Sequence, residues 1–169
     1  VPGCGGAGRG HTGDMTRAPA RTAQQRKHDT LHRLEHDVDV WVATAAEDGG
    51  APQLAPLSYV WDGAVLLVAA PVTTPTGRAL HDTGVARLAV GPADDVVMIE
   101  GVAVAVPPAD LPEEDAEIFA GKTGFDPREL AAPHLYFLIR PQRIRSWRTR
   151  EEETGECEVM RDGEWLVAG

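Results

Sequence analysis

Cysteine is nearly missing from this chain of 169 residues. Its two cysteines, Cys4 and Cys157, lie far apart and outside any Cys-x-x-Cys pair, so the sequence predicts neither a disulfide framework nor a zinc site. Sparse, unpaired cysteine is typical of proteins of the reducing cytoplasm, and we expect a cytoplasmic protein.

Long apolar runs and an excess of positive charge are also lacking. No run approaches the roughly 18 apolar residues that would span a bilayer, and the N-terminus has no apolar signal-peptide core, so no membrane partner is expected. The formal net charge of -10 repels phosphate backbones, which argues against a nucleic-acid partner. Neither a Ser-His-Asp nor a Cys-His arrangement is recognisable.

The composition, with 43% hydrophobic and 25% charged residues, is that of one soluble domain. Residues 1–22 are rich in Gly, Ala, Arg, Thr and Pro without periodicity, which predicts a disordered extension before a domain at 23–169. Gly3, Gly5 and Gly8 match Gly-x-Gly-x-x-Gly, but no strand precedes them, so a dinucleotide site is not expected. Met15 is a hypothetical translation start.

Periodicity and turn signals predict a mainly β domain. Apolar spacing predicts an amphipathic helix over 23–37 and a second helix over 111–119. Strands are expected at 38–45, 52–61, 64–70, 85–90, 96–106 and 135–147, with a tight turn at Asp62-Gly63. Short strands separated by turns favour a small, mostly antiparallel barrel with two or three peripheral helices.

A polar segment after the third strand has the chemistry of a phosphate cradle. It is expected to be a loop in which hydroxyls, the bare backbone beside Gly77 and one guanidinium bind an anion. Its candidate ligands are Thr73, Thr74, Thr76 and Arg78.

Three other patterns leave alternatives open. His28, His32 and His36 recur at helical spacing, which fits either a metal site or a solvated flank. Arginines cluster between Arg140 and Arg150, which fits an anion site or a charged strand edge. In the strand at 96–106 one face is small, with Gly101 and Ala103, and packs against either another strand or a flat ligand.

The ordered set of segments is similar to one known family. In chain order these are a helix, a Trp-bearing strand, AP-L-SYVWDG, LLVAAP, TPTGRAL, VVMIEGVA and a closing YFLIRPQRIRSW, followed by VMRDGEWL. The set resembles the pyridoxamine 5'-phosphate oxidase-like family, whose fold is an FMN-binding split barrel, and its end resembles the deazaflavin-dependent actinobacterial branch. The resemblance implies a six-stranded antiparallel split β-barrel.

The resemblance also implies a homodimer with a flavin, FMN, bound at the subunit interface and a small-molecule substrate. Ala55, Pro56, Leu57 and Ser58 match the strand facing the flavin ring, and Ala69, Ala70 and Pro71 match the strand end beside the ribityl chain. Thr74, Thr76 and Arg78 match the phosphate loop. Arg145 and Trp147 match positions that approach the ring from the partner subunit.

Two departures from the family pattern limit the inferred activity. Gly77 stands where the oxidase has a second cation, and the C-terminal substrate-binding Arg and His have no counterpart, so vitamin B6 oxidation is not expected. The expected function is an FMN-dependent oxidoreductase acting on a small organic substrate. The alternatives are a reductase using the 8-hydroxy-5-deazaflavin coenzyme, with its tail in the arginine cluster, and a non-catalytic flavin or haem binder using the His28–His36 stripe.

Overall fold

The computed structural model describes residues 19–45, 49–148 and 150–168. The interpretations of Cys4, Met15 and the glycine motif, and the predicted disorder of residues 1–18, lie outside these ranges. Arg21 and Thr22, which the sequence assigned to the extension, contact the domain: Arg21 binds Glu152 and Thr22 caps the first helix.

Four α-helices and eight strands form the described chain. They are α1 (Ala23–His36), β1 (Asp39–Thr44), β2 (Gln53–Trp61), β3 (Leu66–Pro71), α2 (Pro75–Thr83), β4 (Val85–Val90), β5 (Val96–Val106), α3 (Glu113–Thr123), β6 (His134–Trp147), α4 (Arg150–Thr154), β7 (Glu158–Arg161) and β8 (Glu164–Trp165). Short 3-10 turns lie at Pro108–Asp110 and Pro127–Glu129.

The strands form a closed antiparallel barrel. The sheet order is β3-β2-β1-β4-β5-β6-β7-β8, and β3 also pairs with β6, which closes a ring of six strands. This confirms the predicted six-stranded barrel. The two added strands, β7 and β8, continue the sheet outside the ring, and their turn contains Asp162 (φ 52°) and Gly163 (φ 79°).

Helices α1 and α2 contribute to the barrel core. Thr22 and Gln25 form a capping box that starts α1, whose Leu34 is fully buried in the barrel cluster. Helix α2 begins at the cap Thr74 and ends at Gly84 in the left-handed conformation, and its Leu80 enters the same cluster. The expected polar loop at 73–78 is therefore mostly helix.

Helix α3 covers the outside of the barrel beside β2, β3 and β6. Its Phe119 is fully buried and meets the ring of Tyr136 edge to face at 5.5 Å. Together with Ala116 it covers Val60, Leu67 and Ala69 in a second apolar cluster. None of the described helices has both the length and the apolar character needed to cross a membrane.

The small face of β5 packs against a neighbouring strand. A methyl group added to Gly101 would lie 2.7 Å from Ile139 Cγ2 of β6, so only glycine fits there. The ladder with β6 is interrupted by a bulge at Glu100/Gly101. This contact with the adjacent strand agrees with the strand-packing interpretation of the small face.

The turn between β2 and β3 is wider than the expected two-residue turn. It spans residues 62–65, and the Asp62 carboxylate accepts hydrogen bonds from the amides of Ala64 and Val65, both at 2.7 Å. Gly63 has φ 100°, the feature that the Asp-Gly signal detected.

The carboxylate of Glu152 links the start of the domain to the end of β6 through an ion pair and hydrogen bonds. Glu152 of α4 accepts from the side chain of Arg21 at 2.8 Å and from the amides of Arg21 (2.6 Å) and Arg148 (2.8 Å). Its side chain is 1% exposed. Burial alone would raise the pKa of Glu152, but these hydrogen bonds outweigh it and lower the pKa to about 2.

Acid is expected to destabilise the protein through Glu152. Since its pKa is lower in the folded state than the ordinary 4.5, its contribution is complete above that pH and is lost as the pH falls towards 2. The contribution is up to about 3 kcal/mol. Urea unfolding measured between pH 4.5 and pH 2 should show a steep fall in the free energy of unfolding, and Glu152→Gln should make this fall shallower. The exposed neighbour substitution Glu153→Gln should leave the wild-type slope; equal slopes for wild type and Glu152→Gln would contradict the assignment.

Candidate functional site

The barrel is split between β2 and β3. Their ladder has three residue pairs, from Trp61–Leu66 to Tyr59–Val68. Beyond Tyr59, residues 53–58 of β2 pair only with β1, and residues 69–71 of β3 pair only with β6. We call this gap, bordered by residues 55–58 and 69–71, the split. Both strand segments that the sequence assigned to cofactor binding therefore border the same gap.

Strand alternation determines which backbone groups face the split. The amide of Tyr59 donates to Val38 on the β1 side at 2.8 Å, and the amide of Asp62 donates to Val65 on the β3 side at 3.2 Å. Because the direction alternates along an antiparallel strand, Ser58 directs its N–H and C=O, and Pro56 its C=O, towards the split. Ala55 and Leu57 direct theirs towards β1, so only two of the four predicted residues offer backbone groups there.

On the β3 side the same alternation assigns Ala69 to the split. Its side chain is buried under α3, whereas the Ala70 side chain lies inside the barrel, so neither methyl group is available to a ligand. The carbonyl of Pro71 accepts from the amide and the hydroxyl of Thr74. Only the backbone of Ala69 remains as a donor and acceptor on this strand.

The predicted cradle lies in the first turn of α2, directly after the end of β3. The Thr74 hydroxyl donates to Pro71 at 2.7 Å and accepts from the amide of Gly77 at 3.1 Å, so it serves as the helix cap. The amide of Arg78 binds the Thr74 carbonyl. Pro75 has no N–H, so the amide of Thr76 is the remaining first-turn donor among the described residues.

Thr76 and Arg78 are the side chains that can bind an anion here. Thr76 is 7% exposed, and within the described ranges its hydroxyl has no hydrogen-bond partner. Arg78 is exposed, and its guanidinium donates to the Thr73 carbonyl at 2.6 Å. Arg78 also lines a cleft of about 380 Å³ together with Val72, His81, Asp82, Pro133, His134 and Leu135.

A close contact with β3 explains why residue 77 is a glycine. A Cβ at this position would lie 2.1 Å from the carbonyl oxygen and 2.8 Å from the carbonyl carbon of Pro71. No side chain, cationic or otherwise, fits between α2 and β3 as they are packed. The missing second cation is thus a consequence of this helix–strand contact.

A groove of about 720 Å³ lies on the outer face of β1 and β2. Its lining includes Pro56, Leu57 and Ser58, three of the predicted ring-facing residues. The sequence interpretation missed two other members, Asp39 and Trp41, although both alternate with buried Val40 and could have been assigned to the outer face.

Arg145 and Trp147 lie together near the end of β6. The Arg145 guanidinium is 5.8 Å from the centre of the Trp147 ring, and both side chains are partly exposed. Elsewhere in the arginine cluster, Arg143 binds Glu158, and Arg148 binds Asp95 at 3.0 Å. In the described part of the chain, no carboxylate pairs with Arg140, Arg145 or Arg150.

The histidine stripe of α1 lies at the surface. His28, His32 and His36 are exposed, and the rings of the last two stack at 4.1 Å. Among the described residues, no group of three or more His, Cys, Asp or Glu is placed to hold a metal ion. The solvated-flank interpretation agrees with this placement.

Comparison with solved structures relates the fold to known proteins. The chain is similar to an F420 reductase (TM-score 0.56, 18% identity, 67% of this chain and 93% of that one). It is also similar to a putative pyridoxamine 5'-phosphate oxidase from Listeria innocua (0.58, 16%, 73% and 98%). A third is the haem storage protein HutZ from Vibrio cholerae (0.51, 14%, 69% and 89%). Neither a protein-family model nor a curated protein matches the sequence.

Proposed function

Because the chain has the split-barrel fold of pyridoxamine 5'-phosphate oxidase-like proteins, we propose that it is an FMN-dependent oxidoreductase acting on a small organic molecule. The observation that carries this proposal is the continuity of the split with the first turn of α2. Backbone groups of Pro56, Ser58 and Ala69 face the split without a partner strand. They are followed along the chain by Thr76, whose hydroxyl has no hydrogen-bond partner among the described residues, and by the guanidinium of Arg78.

The donors present fit a flavin phosphate. The amide and hydroxyl of Thr76 and the guanidinium of Arg78 would bind the phosphate oxygens, and the positive end of the α2 dipole favours the same charge. Arg78 carries one positive charge and therefore neutralises only part of a phosphate dianion. Residue 77 cannot supply a second cation, because no side chain fits there. The backbone of Ser58 and Ala69 would bind the polar edge of the ring system across the split.

Bound FMN would supply the hydride chemistry. The protein's part is positioning: Ser58 N–H offers a hydrogen bond that stabilises negative charge on a bound ring, and α3 shields the outer side of β3 from water. Arg145 and Trp147 present a cation and an aromatic face at the surface, where they can contact a ligand held by another subunit.

The proposal includes a homodimer formed through the outer face of the barrel. The outer face of the barrel exposes large apolar side chains, among them Val85 (55%), Val102 (48%) and Val104 (59%). Val85 lies directly opposite Val102 in the β4–β5 ladder, and Val104 follows on the same face. Exposed apolar patches of this kind are typical of protein interfaces, and a second copy of the chain would bury this one.

A deazaflavin coenzyme is the second candidate cofactor. The similarity to an F420 reductase supports it, as do Arg140, Arg145 and Arg150, which are not neutralised by described carboxylates and could bind an acidic tail.

The chromophore of protein purified from its native host tests the proposal. We expect a flavin absorption spectrum and, after extraction, the mass of FMN. If the extracted chromophore has the mass of a deazaflavin, the cofactor is the second candidate and not FMN. A haem spectrum, or the lack of any chromophore together with failure to bind added FMN, would overturn the proposal.

A further inference from the structure

The groove of about 720 Å³ on β1 and β2 combines a carboxylate with an accessible indole. Asp39 and Trp41 are two residues apart on β1, so both side chains project from the outer face of the barrel. Trp41 is 50% exposed, so about half of this large aromatic side chain is open to solvent. Opposite it on β4 lies Ala89, whose small side chain leaves the indole accessible.

The negative charge of Asp39 is not neutralised by a described cation. Its carboxylate accepts a hydrogen bond from the Ser58 hydroxyl at 3.0 Å, and no described Lys, Arg or His forms an ion pair with it. Asp37, the other acid of the groove, differs, because Arg33 binds it at 3.0 Å. Of the two acids that line the groove, Asp39 is therefore the one without a cationic partner among the described residues, and it is two residues from Trp41 on the same face of β1.

We propose that this groove binds an organic cation, a molecule with a protonated or quaternary amine. An ammonium group between Asp39 and the Trp41 face gains both ionic and cation–π attraction, and Pro56, which lies opposite Trp41 on β2, supplies apolar contact for its carbon atoms. The volume suits a small metabolite. The groove adjoins Ser58 at the split, so the cation could be the substrate of the reaction; this role rests on the proposed function. Binding of the cation to the groove does not depend on the proposed function.

Binding can be measured by NMR titration of the full chain without flavin. The probes are choline and its neutral isostere 3,3-dimethylbutan-1-ol, which differ in charge at nearly the same shape. We expect choline to bind about tenfold more tightly, and Asp39→Asn and Trp41→Leu each to remove that preference. Asp110→Asn, the same charge change at an exposed site outside the groove, is the control and should bind like wild type.

Equal affinity for the two probes, retained preference in Asp39→Asn, or no binding of choline would each overturn the inference. Arg78→Ala separates it from the proposed function, because that variant should bind choline normally while losing affinity for FMN. Choline binding with no FMN binding in the wild type would reject the proposed function and keep the cation site.

Discussion

Gly77→Ala is expected to lower the free energy of unfolding by about 3 kcal/mol or more. The added methyl carbon would lie 2.1 Å from the Pro71 carbonyl oxygen, far inside van der Waals contact, and that atom belongs to the backbone, which cannot rotate away. Helix α2 must move off β3, which also separates Thr74 from the carbonyl that it binds. Thermal and urea unfolding followed by circular dichroism measure the loss.

The chain offers a matched control at Gly121. This glycine lies inside α3, and a Cβ there meets nothing within 4 Å. Gly121→Ala is therefore expected to raise stability by about 0.5 to 1 kcal/mol through helix propensity alone. If Gly77→Ala were as stable as wild type, the close contact of α2 with β3 would be wrong, and a second cation could be accommodated after all.

Arg78→Ala is expected to weaken FMN binding by about tenfold to a hundredfold, the value of a charge-assisted hydrogen bond to phosphate. The fold should be kept, because Arg78 is exposed and its described hydrogen bond is to the Thr73 carbonyl. Titration of the cofactor-free protein with FMN, followed by quenching of flavin fluorescence, gives the dissociation constant.

Riboflavin, which lacks the phosphate, makes this test specific. Wild type should prefer FMN to riboflavin, and Arg78→Ala should lose most of that preference without changing its riboflavin affinity. Arg161→Ala removes the same charge from an exposed position on β7, 61% accessible, and should behave like wild type. An unchanged preference in Arg78→Ala would remove Arg78 from the phosphate site.

Strands with clear alternation of side-chain type and with Gly or Pro at their ends could be predicted almost to the residue. The bounds of β4 and β5 agree with the sequence, since Gly91-Pro92 and Pro107-Pro108 end them. The first turn of helix α2 was missed because it consists of Thr, Pro and Gly, which are typical of loops. The signals were nevertheless present in the cap Thr74, the proline after it and Gly84 at the end.

The candidate site was predictable in its parts only. Local sequence assigned residues 55–58 and 69–70 to strands, but which strand they pair with depends on register, a long-range property. Hence the end of the ladder at Tyr59–Val68, which makes the split, could not be read from the chain. The same holds for Gly77: its contact with Pro71 depends on how α2 folds back onto β3.

Closure of the ring by β3 and β6 constrains the order in which the protein can form. Leu66 pairs with Ile139, so the barrel cannot close until nearly all of its strands have been synthesised. Until then β3 and β5 are sheet edges with unpaired amides, and such edges recruit other chains. Because closure joins segments so distant in sequence, we infer that folding is slow compared with that of a helical protein of this size. A chain interrupted before His134 would retain two open edges and be prone to aggregate.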